Sequence, residues 1–489
     1  MKIVELFWHC DDLSRERTKL PLIDLLTLCC FYLLVVIHCV ENTSLIYKDL
    51  PWMMYMYNIR NMICIVLMAK AALASVYRPI ELWTILLMLA AGALCMRFSN
   101  DFTMLEFAIV VVAAKDLPHR KLLHGFAVIK TVAVIATIAL TMVNIIPNII
   151  YANGSDGVYY TYGFCHRNVL GANIAVLCMA WLYLHYNNLR RRDLILWCCL
   201  TVVSYFFAYS RTSLLIMVMA IGATMICHYF GGTILTFRHT RVTLAVFFLG
   251  LFVVCIVCTI FYERHSNFWE IIDQFFTKRL QFASQCLDDY GFSLFGQQID
   301  FVSTQQAQAP IITSQSGMSL AAAFQHAVTM FKNFWKLAAD HLSKVLALLG
   351  SSSSGGIGGY FSSLHSQFDY DTDRLILDNA YMRAVIYNGI IPGCLFIAIY
   401  YAALNHIWSR KNLPLVAGMM VMAIYGISER FMLDVYYNFP LMLACIAMFH
   451  QPEYQTGDAY WFPLEYIWHI LRLILTSPKK LFDHLREKN

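Results

Sequence analysis

The sequence predicts an all-α, polytopic integral membrane protein with about twelve transmembrane helices. Of its 489 residues, 59% are hydrophobic and only 14% are charged, whereas soluble globular proteins are about 45–50% apolar and about 25% charged. This composition excludes a nucleic-acid-binding protein, a disordered protein and an ordinary cytosolic enzyme. The apolar runs also reach the roughly 20 residues that a helix needs to cross the hydrocarbon core of a bilayer.

Individual apolar runs mark the spans. The run at 100–114 is short and contains Glu106, and a tight turn at Ser210-Arg211-Thr212 separates the seventh span from the eighth. The N-terminal run lacks the small-residue spacing of a cleavage site, so we expect it to remain as a signal anchor. The predicted spans are 21–40, 59–76, 80–96, 100–114, 122–143, 167–186, 193–209, 212–230, 242–262, 380–404, 413–428 and 434–450.

Basic clusters in the short loops predict the orientation. With twelve spans they all fall on one side, and the positive-inside rule makes that side cytoplasmic. We therefore expect a multi-pass protein of the cytoplasmic membrane with both termini in the cytoplasm. The clusters are Arg15, Arg17 and Lys19; Lys115, Arg120 and Lys121; Arg190, Arg191 and Arg192; Arg238 and Arg241; Arg410 and Lys411; Lys479 and Lys480.

One long extracytoplasmic loop, 263–379, lies between spans 9 and 10 and divides the chain. Spans 1–9 occupy 1–262, spans 10–12 occupy 380–450, and 451–489 forms a cytoplasmic tail with an interfacial helix. Within the loop, an apolar stripe at helical spacing predicts an amphipathic helix at 320–349, and a Gly/Ser linker follows at 350–359. The helix suits a lid or an interface anchor, or a small core within the loop.

Lys70, Glu106 and Lys130 are ionisable residues that lie within apolar segments. Charges at this depth are costly and need partners. We expect Glu106 to pair with one of the lysines. A proton or ion relay is the alternative.

Arginines near the extracytoplasmic span ends are the most informative charges, because the positive-inside rule disfavours them there. The guanidinium fork suits phosphate oxygens, so the set favours an anionic ligand such as a lipid-linked pyrophosphate. The alternative is headgroup contact with local pairing, Glu429 with Arg430 and Asp378 with Arg383. The set is Arg97, Arg167, Arg211, Arg279, Arg374, Arg383 and Arg430.

Nucleotide-binding and metal-binding motifs are not found in the sequence. We therefore expect no cofactor and no metal, and any group transfer must use a donor that is already activated.

Short motifs then carry a resemblance to a known family. They are Tyr162-Gly163-Phe164-Cys165-His166-Arg167-Asn168, Ala208-Tyr209-Ser210-Arg211-Thr212-Ser213-Leu214, Lys278-Arg279-Leu280, Gly291-Phe292-Ser293-Leu294-Phe295-Gly296-Gln297, Leu377-Asp378-Asn379-Ala380-Tyr381-Met382-Arg383 and Tyr387-Asn388-Gly389. With the twelve-span layout, the chain resembles the O-antigen polymerase and ligase family. It looks most like the Wzy-type polymerases of exopolysaccharide and capsule assembly.

The resemblance implies a glycosyltransferase. The enzyme would transfer a growing glycan from undecaprenyl pyrophosphate to the next lipid-linked repeat unit on the outer face of the cytoplasmic membrane. The implied partners are that lipid-linked oligosaccharide, membrane lipids, and a chain-length regulator and a flippase of the same pathway, with no nucleic acid.

The resemblance also implies roles for individual residues. Arg211 and Arg279 match the family's arginine positions, so both are expected to stabilise the leaving pyrophosphate. Asp378 and His365 are the candidates for the base that activates the acceptor hydroxyl, and Asp378 alternatively caps the helix that follows it or aims Arg383. The further substrate-binding candidates are Arg383, Arg167, His166 (also a third candidate base), Asn379 and Arg430.

Two other functions remain open at this point. An O-antigen ligase would share the donor and the arginines but transfer the finished glycan to another acceptor. A lipid-linked oligosaccharide flippase or transporter would more often show inverted repeats and little outer domain, whereas this chain shows no internal repeat and one large outer loop.

Overall fold

A computed structural model provides the structure of the protein. It describes residues 22–48, 51–115, 117–153, 157–208, 210–236, 239–263, 266, 268–269, 273, 279–299 and 377–449. The predicted amphipathic helix at 320–349, the linker at 350–359, the tail at 451–489 and the candidate residues His365 and Arg374 lie outside these ranges.

The described part of the chain is almost entirely helical. One antiparallel hairpin between α5 and α6 interrupts it, with β1 (Ile150–Asn153) paired to β2 (Gly157–Tyr160) in the register Ile150↔Tyr160. The helices are α1 (Leu22–Glu41), α2 (Pro51–Leu73), α3 (Pro79–Phe98), α4 (Thr103–Ala113), α5 (His119–Met142), α6 (Arg167–Leu184), α7 (Arg191–Ala208), α8 (Arg211–Thr236), α9 (Thr240–Ile260), α10 (Arg279–Tyr290), α11 (Ile390–Ser409), α12 (Leu413–Ser428) and α13 (Phe439–Phe449).

Within the described residues, eight helices are long and apolar enough to cross a membrane: α1, α2, α3, α5, α6, α8, α9 and α11. The protein is therefore membrane-embedded and polytopic. Helix α7 is 18 residues long, but Arg191, Arg192 and Asp193 occupy its first turn and shorten its apolar stretch.

Helices α4, α12 and α13 are apolar but shorter. Both α4 and α13 have 11 residues, or about 17 Å at 1.5 Å per residue, against a hydrocarbon core of about 30 Å. Nearly every residue of these two helices is buried. Surrounding protein, rather than lipid, meets their ends, so the irregular backbone beside them is tolerated.

The structure shifts two predicted spans. Helix α2 begins at Pro51 rather than at residue 59. The span predicted at 380–404 is broken: a junction segment, residues 380–387, makes one α-turn and one π-turn, and α11 begins only after Gly389.

Two glycines allow the loop to contact this break. A strap, residues 291–297, hydrogen-bonds the start of α11 through Ile390 N to Ser293 O at 2.9 Å and Ile391 N to Leu294 O at 3.0 Å. Gly296 and Gly389 face each other at positive φ, 104° and 96°, and a Cβ on either would clash with backbone or Ser99 Oγ. The two family-like motifs at 291–297 and 387–389 are therefore in contact.

Alternation of the helices defines two ends of the bundle. The loop end is where α9 ends and α11 begins. The ends of α1, α3, α5, α7 and α12 and the starts of α2, α4, α6, α8 and α13 lie there too. Contacts join these segments: Thr43 pairs with Phe164, Ser99 Oγ donates to Tyr387 O at 2.7 Å, and Thr212 Oγ1 donates to Glu429 Oε1 at 3.1 Å.

The opposite end is the basic end. Lys115 Nζ contacts Glu81 Oε2 at 3.4 Å there, and Arg241 Nε donates to Asn405 Oδ1 at 2.9 Å. The described members of the basic clusters all lie at this end: Lys115, Arg120, Lys121, Arg190, Arg191, Arg192, Arg241, Arg410 and Lys411.

Candidate functional site

Six ionisable side chains from four separate segments converge at the loop end. We call them the loop-end cluster: His166 and Arg167 at the start of α6, Arg279 at the start of α10, Asp378 before the junction segment, and Glu429 and Arg430 after α12. Their charges act on one another across the cluster. Five of them are site residues predicted from the sequence, and Glu429 is predicted there only as a partner of Arg430.

Arg279 lies at the centre of the cluster. Its Nη2 contacts Glu429 Oε1 at 2.6 Å and its Nε lies 3.7 Å from Asp378 Oδ2. Burial acts to lower the pKa of Arg279, but Glu429 and Asp378 hold it above its ordinary value. The guanidinium is therefore charged, and two carboxylates already face it.

Glu429 is the site residue that the sequence analysis missed. It ends α12, is buried, and accepts hydrogen bonds from both Arg279 and Thr212. Burial raises the pKa of Glu429 to about 7, although Arg279 opposes the shift. The predicted pairing of Glu429 with its neighbour Arg430 is wrong, since Glu429 is buried against Arg279 while Arg430 is exposed.

His166 acts as the N-cap of α6. Its Nδ1 accepts a hydrogen bond from Asn168 N at 3.1 Å, which leaves the proton of a neutral ring on Nε2. Burial and, to a smaller extent, the charge of Arg167 lower the pKa of His166 to about 4. A neutral His166 can donate a hydrogen bond from Nε2, but it must release its cap before Nδ1 can accept a proton.

Capping of the junction segment falls to Asn379, not to Asp378. Asn379 Oδ1 accepts from Tyr381 N at 3.0 Å and Met382 N at 3.1 Å. The alternative interpretation of Asp378 as the cap is therefore wrong. Asn379, which was expected to bind substrate, has a structural role as the cap of the junction segment. Asp378 instead faces Arg279, with 31% of its side chain exposed.

Arg383 belongs to a neighbouring pair. Its Nη2 contacts Asp101 Oδ2 at 3.4 Å and its guanidinium lies 4.6 Å from the centre of the Tyr387 ring. Burial alone would raise the pKa of Asp101, but Arg383 and the Thr103 hydrogen bonds lower it. Among the described residues Asp101, rather than Asp378, is the carboxylate that contacts Arg383.

Three further arginines lie outside the buried pair of Arg279 and Glu429. Arg430 and Arg211 are exposed, and Arg167 is half-buried. Thr212, next to Arg211, contacts Glu429, so the Ser210-Arg211-Thr212 turn borders the cluster. The close approach of Gly171 in α6 to Ser213 places this turn against α6.

Buried polar side chains beneath the cluster hold the segment 429–438. Tyr436 Oη donates to Glu106 Oε1 at 2.7 Å, and Lys130 Nζ lies 4.3 Å from the centre of the Tyr437 ring while donating to Asn173 Oδ1 at 2.9 Å. Lys70 Nζ donates to Ala113 O at 2.9 Å. The expected pairing of Glu106 with a lysine is wrong, because Glu106 binds a tyrosine that anchors the site segment.

The cluster suits an anion more than a metal. Among the described residues the cluster contains three arginines, Arg167, Arg279 and Arg430, and two carboxylates, Asp378 and Glu429, and Arg211 lies at its border. Among the described residues no group of His, Cys, Asp and Glu is arranged to hold a metal ion. A small apolar cavity lined by Met179, Ala220 and Pro440 lies elsewhere in the bundle and holds none of these charges.

Comparison with protein-family models, with curated proteins and with solved structures finds no match for this chain.

Proposed function

We propose that this protein is a polysaccharide polymerase of the cytoplasmic membrane, which extends a glycan carried on undecaprenyl pyrophosphate by one lipid-linked repeat unit at a time. The observation that carries the proposal is the convergence of arginines from distant segments around Asp378 at one end of the bundle. Several guanidinium groups brought together in this way match a pyrophosphate diester, which is a dianion at neutral pH.

The reaction needs positioning and charge stabilisation more than a cofactor. The acceptor hydroxyl oxygen forms a bond to the anomeric carbon of the donor sugar, as the bond from that carbon to the pyrophosphate oxygen breaks. The electron pair leaves with undecaprenyl pyrophosphate, and the hydroxyl proton passes to Asp378.

The arginines outside the buried pair stabilise the leaving group. Arg430, Arg211 and Arg167 reach the surface of the cluster, where they can contact pyrophosphate oxygens as negative charge develops there. His166 offers an Nε2–H donor to the same ligand. The residues proposed to contact substrate are therefore more exposed than Arg279 and Glu429, which form the buried pair.

The proposed topology agrees with this chemistry. Twelve spans, the eight long helices together with α4, α7, α12 and α13, place the loop end and 263–379 outside the cell. The basic end and both termini are then cytoplasmic, as the positive-inside rule requires. Accessibility labelling of a single cysteine at position 211, with one at position 241 as the opposite-side control, tests this directly: labelling of residue 211 only from the cytoplasm contradicts the proposal.

Polymer length tests the function. Deletion of the chromosomal copy in the strain that encodes the protein is expected to leave single repeat units in place of long chains, and the wild-type gene is expected to restore the long chains. A ligase would instead leave full-length polymer on its lipid carrier, and a flippase would leave the repeat units inside the cell. Either of those results contradicts the polymerase.

A further inference from the structure

The loop-end cluster has a buried layer and an exposed layer. The side chains of Arg279 and Glu429 are only 8% and 4% exposed, whereas that of Asp378 is 31% exposed. A ligand that approaches from the loop end therefore meets Asp378 before it meets Arg279.

Arg279 is fixed at both its backbone and its guanidinium. Asp273 accepts hydrogen bonds from Leu280 N at 2.9 Å and Gln281 N at 3.3 Å, and so holds the first turn of α10. The guanidinium binds Glu429 at 2.6 Å. Releasing it toward a ligand would leave the buried Glu429 carboxylate without its cation, which is a costly state.

We propose that Arg279 is a positioning residue that holds the Asp378 carboxylate toward the acceptor sugar, and that Glu429 and Thr212 hold Arg279 in place. Arg279 then does not contact the pyrophosphate. This inference rests on the proposed polymerase function and assigns roles within that site.

The unequal distances explain how Asp378 remains reactive. Glu429 takes the short contact with Arg279, so Asp378 is oriented by charge at 3.7 Å rather than held in a short hydrogen bond. Its oxygens are left to accept a proton from a sugar hydroxyl. Thr212 Oγ1, at 3.1 Å from the same oxygen of Glu429, fixes that carboxylate from α8.

A double-mutant cycle tests the proposal. Membrane vesicles from the deleted strain carry the wild-type protein, Asp378→Asn, Arg279→Gln or both substitutions. Their substrate is the lipid-linked repeat unit that the deleted strain accumulates, and the rate of chain extension is measured against its concentration. We expect Asp378→Asn to lower kcat about 100-fold or more, Arg279→Gln to lower kcat at unchanged KM, and the double variant to match Asp378→Asn.

Arg430→Gln provides the contrast within the site. As a pyrophosphate ligand, Arg430 acts independently of Asp378. The fold-decrease in the rate of chain extension in the double variant should therefore be the product of the decreases in Arg430→Gln and Asp378→Asn. Arg241→Gln, at the basic end, is the control that should leave the rate unchanged.

The proposal is overturned if the losses from Arg279→Gln and Asp378→Asn multiply, or if Arg279→Gln raises KM at unchanged kcat, because either result makes Arg279 a substrate ligand. If Arg279→Gln yields no folded protein, Glu429→Gln takes its place. Glu429→Gln retains the volume of the side chain. It should lower kcat in the wild-type background but not in the Asp378→Asn background. If the decreases in kcat from Glu429→Gln and Asp378→Asn multiply, the proposal is overturned. Wild-type vesicles that extend no chain contradict the polymerase function itself.

Discussion

Both ends of the bundle bury a carboxylate beside cations, but the two sites are assembled differently. At the basic end Glu81 binds Arg78 Nε at 2.9 Å, three residues earlier in the chain, and Lys115 Nζ at 3.4 Å across a neighbouring loop. At the loop end Glu429 binds Arg279, 150 positions away. The first pairing is largely local. The second forms only when the start of α10, which contains Arg279, packs against the end of α12.

The remaining charges differ as well. At the basic end they include exposed side chains such as Arg190 and Arg191, which suit water and anionic headgroups. At the loop end they lie around a buried ion pair and a half-exposed Asp378. Local pairing is typical of a structural role, whereas assembly of charged groups from distant segments supports the proposed ligand site.

The largest difference between the ends should appear with Asp378→Asn. Because Asn379 is the cap, this substitution removes charge without removing a cap, and we expect chain extension to fall by about 10²–10⁴-fold. Polymer length per amount of folded protein is the measurement. Asp193→Asn at the basic end is the matched control, and equal polymer from both variants would remove Asp378 from the chemistry.

Loss of an exposed arginine should rank second. Arg430→Ala is expected to lower chain extension by about 10²–10³-fold, as for other donors to developing negative charge. Arg430→Lys should rescue it poorly, because an ammonium cannot form the bidentate fork. Full activity of the lysine variant would show that charge alone suffices at this position.

Removing either buried carboxylate should destabilise the protein to a similar degree. Glu81→Ala and Glu429→Ala each leave a buried cation without its partner, which costs about 3–5 kcal/mol. Thermal unfolding in detergent measures this loss. Activity should separate the two: folded Glu81→Ala protein is expected to extend chains normally, and folded Glu429→Ala protein is not.

The stability of the protein should depend on pH through the buried Glu429 at the loop end. The pKa of Glu429 is raised from 4.5 to about 7 by burial, so folding favours its protonated form. Its contribution to stability is full below pH 4.5 and is lost as the pH rises through 7. The difference in Tm between wild type and Glu429→Gln should therefore shrink from pH 5 to pH 8; a constant difference contradicts the raised pKa. The His166 contribution has the opposite sign but is common to both proteins.

A smaller loss of stability is expected from the hydrogen bond that holds the segment 429–438. Tyr436→Phe removes the donor to the buried Glu106 and should cost about 1–3 kcal/mol. Thermal unfolding in detergent again measures the cost. Tyr401→Phe, at an exposed position in α11, is the control. Equal stability of the two variants would mean that the hydrogen bond between Tyr436 and Glu106 contributes nothing.

Hydropathy predicted the helices well, because lipid-facing and core residues are both apolar in a membrane bundle. It could not predict the break before α11, which depends on contact between Gly296 and Gly389. Chain proximity suggested Glu429 with Arg430 and Asp378 with Arg383, but closeness in sequence does not bring side chains into contact when they point in different directions. The observed partners, Arg279 and Asp101, come from distant segments, so only the assembled fold reveals them.

The strap and the junction segment hold the two chain positions that flank residues 300–376. Gln297 N donates to Tyr387 O at 3.0 Å, and Ile299 and Leu377 share a small core with Cys286 and Met382. The two points at which the chain leaves and rejoins the described fold are thus fixed by contacts that do not involve residues 300–376. Closing a chain between two fixed points costs only about 0.6 kcal/mol for each doubling of its length. A change in the number of residues between 299 and 377 is therefore expected to cost little closure entropy, and the strap and the junction segment should tolerate it.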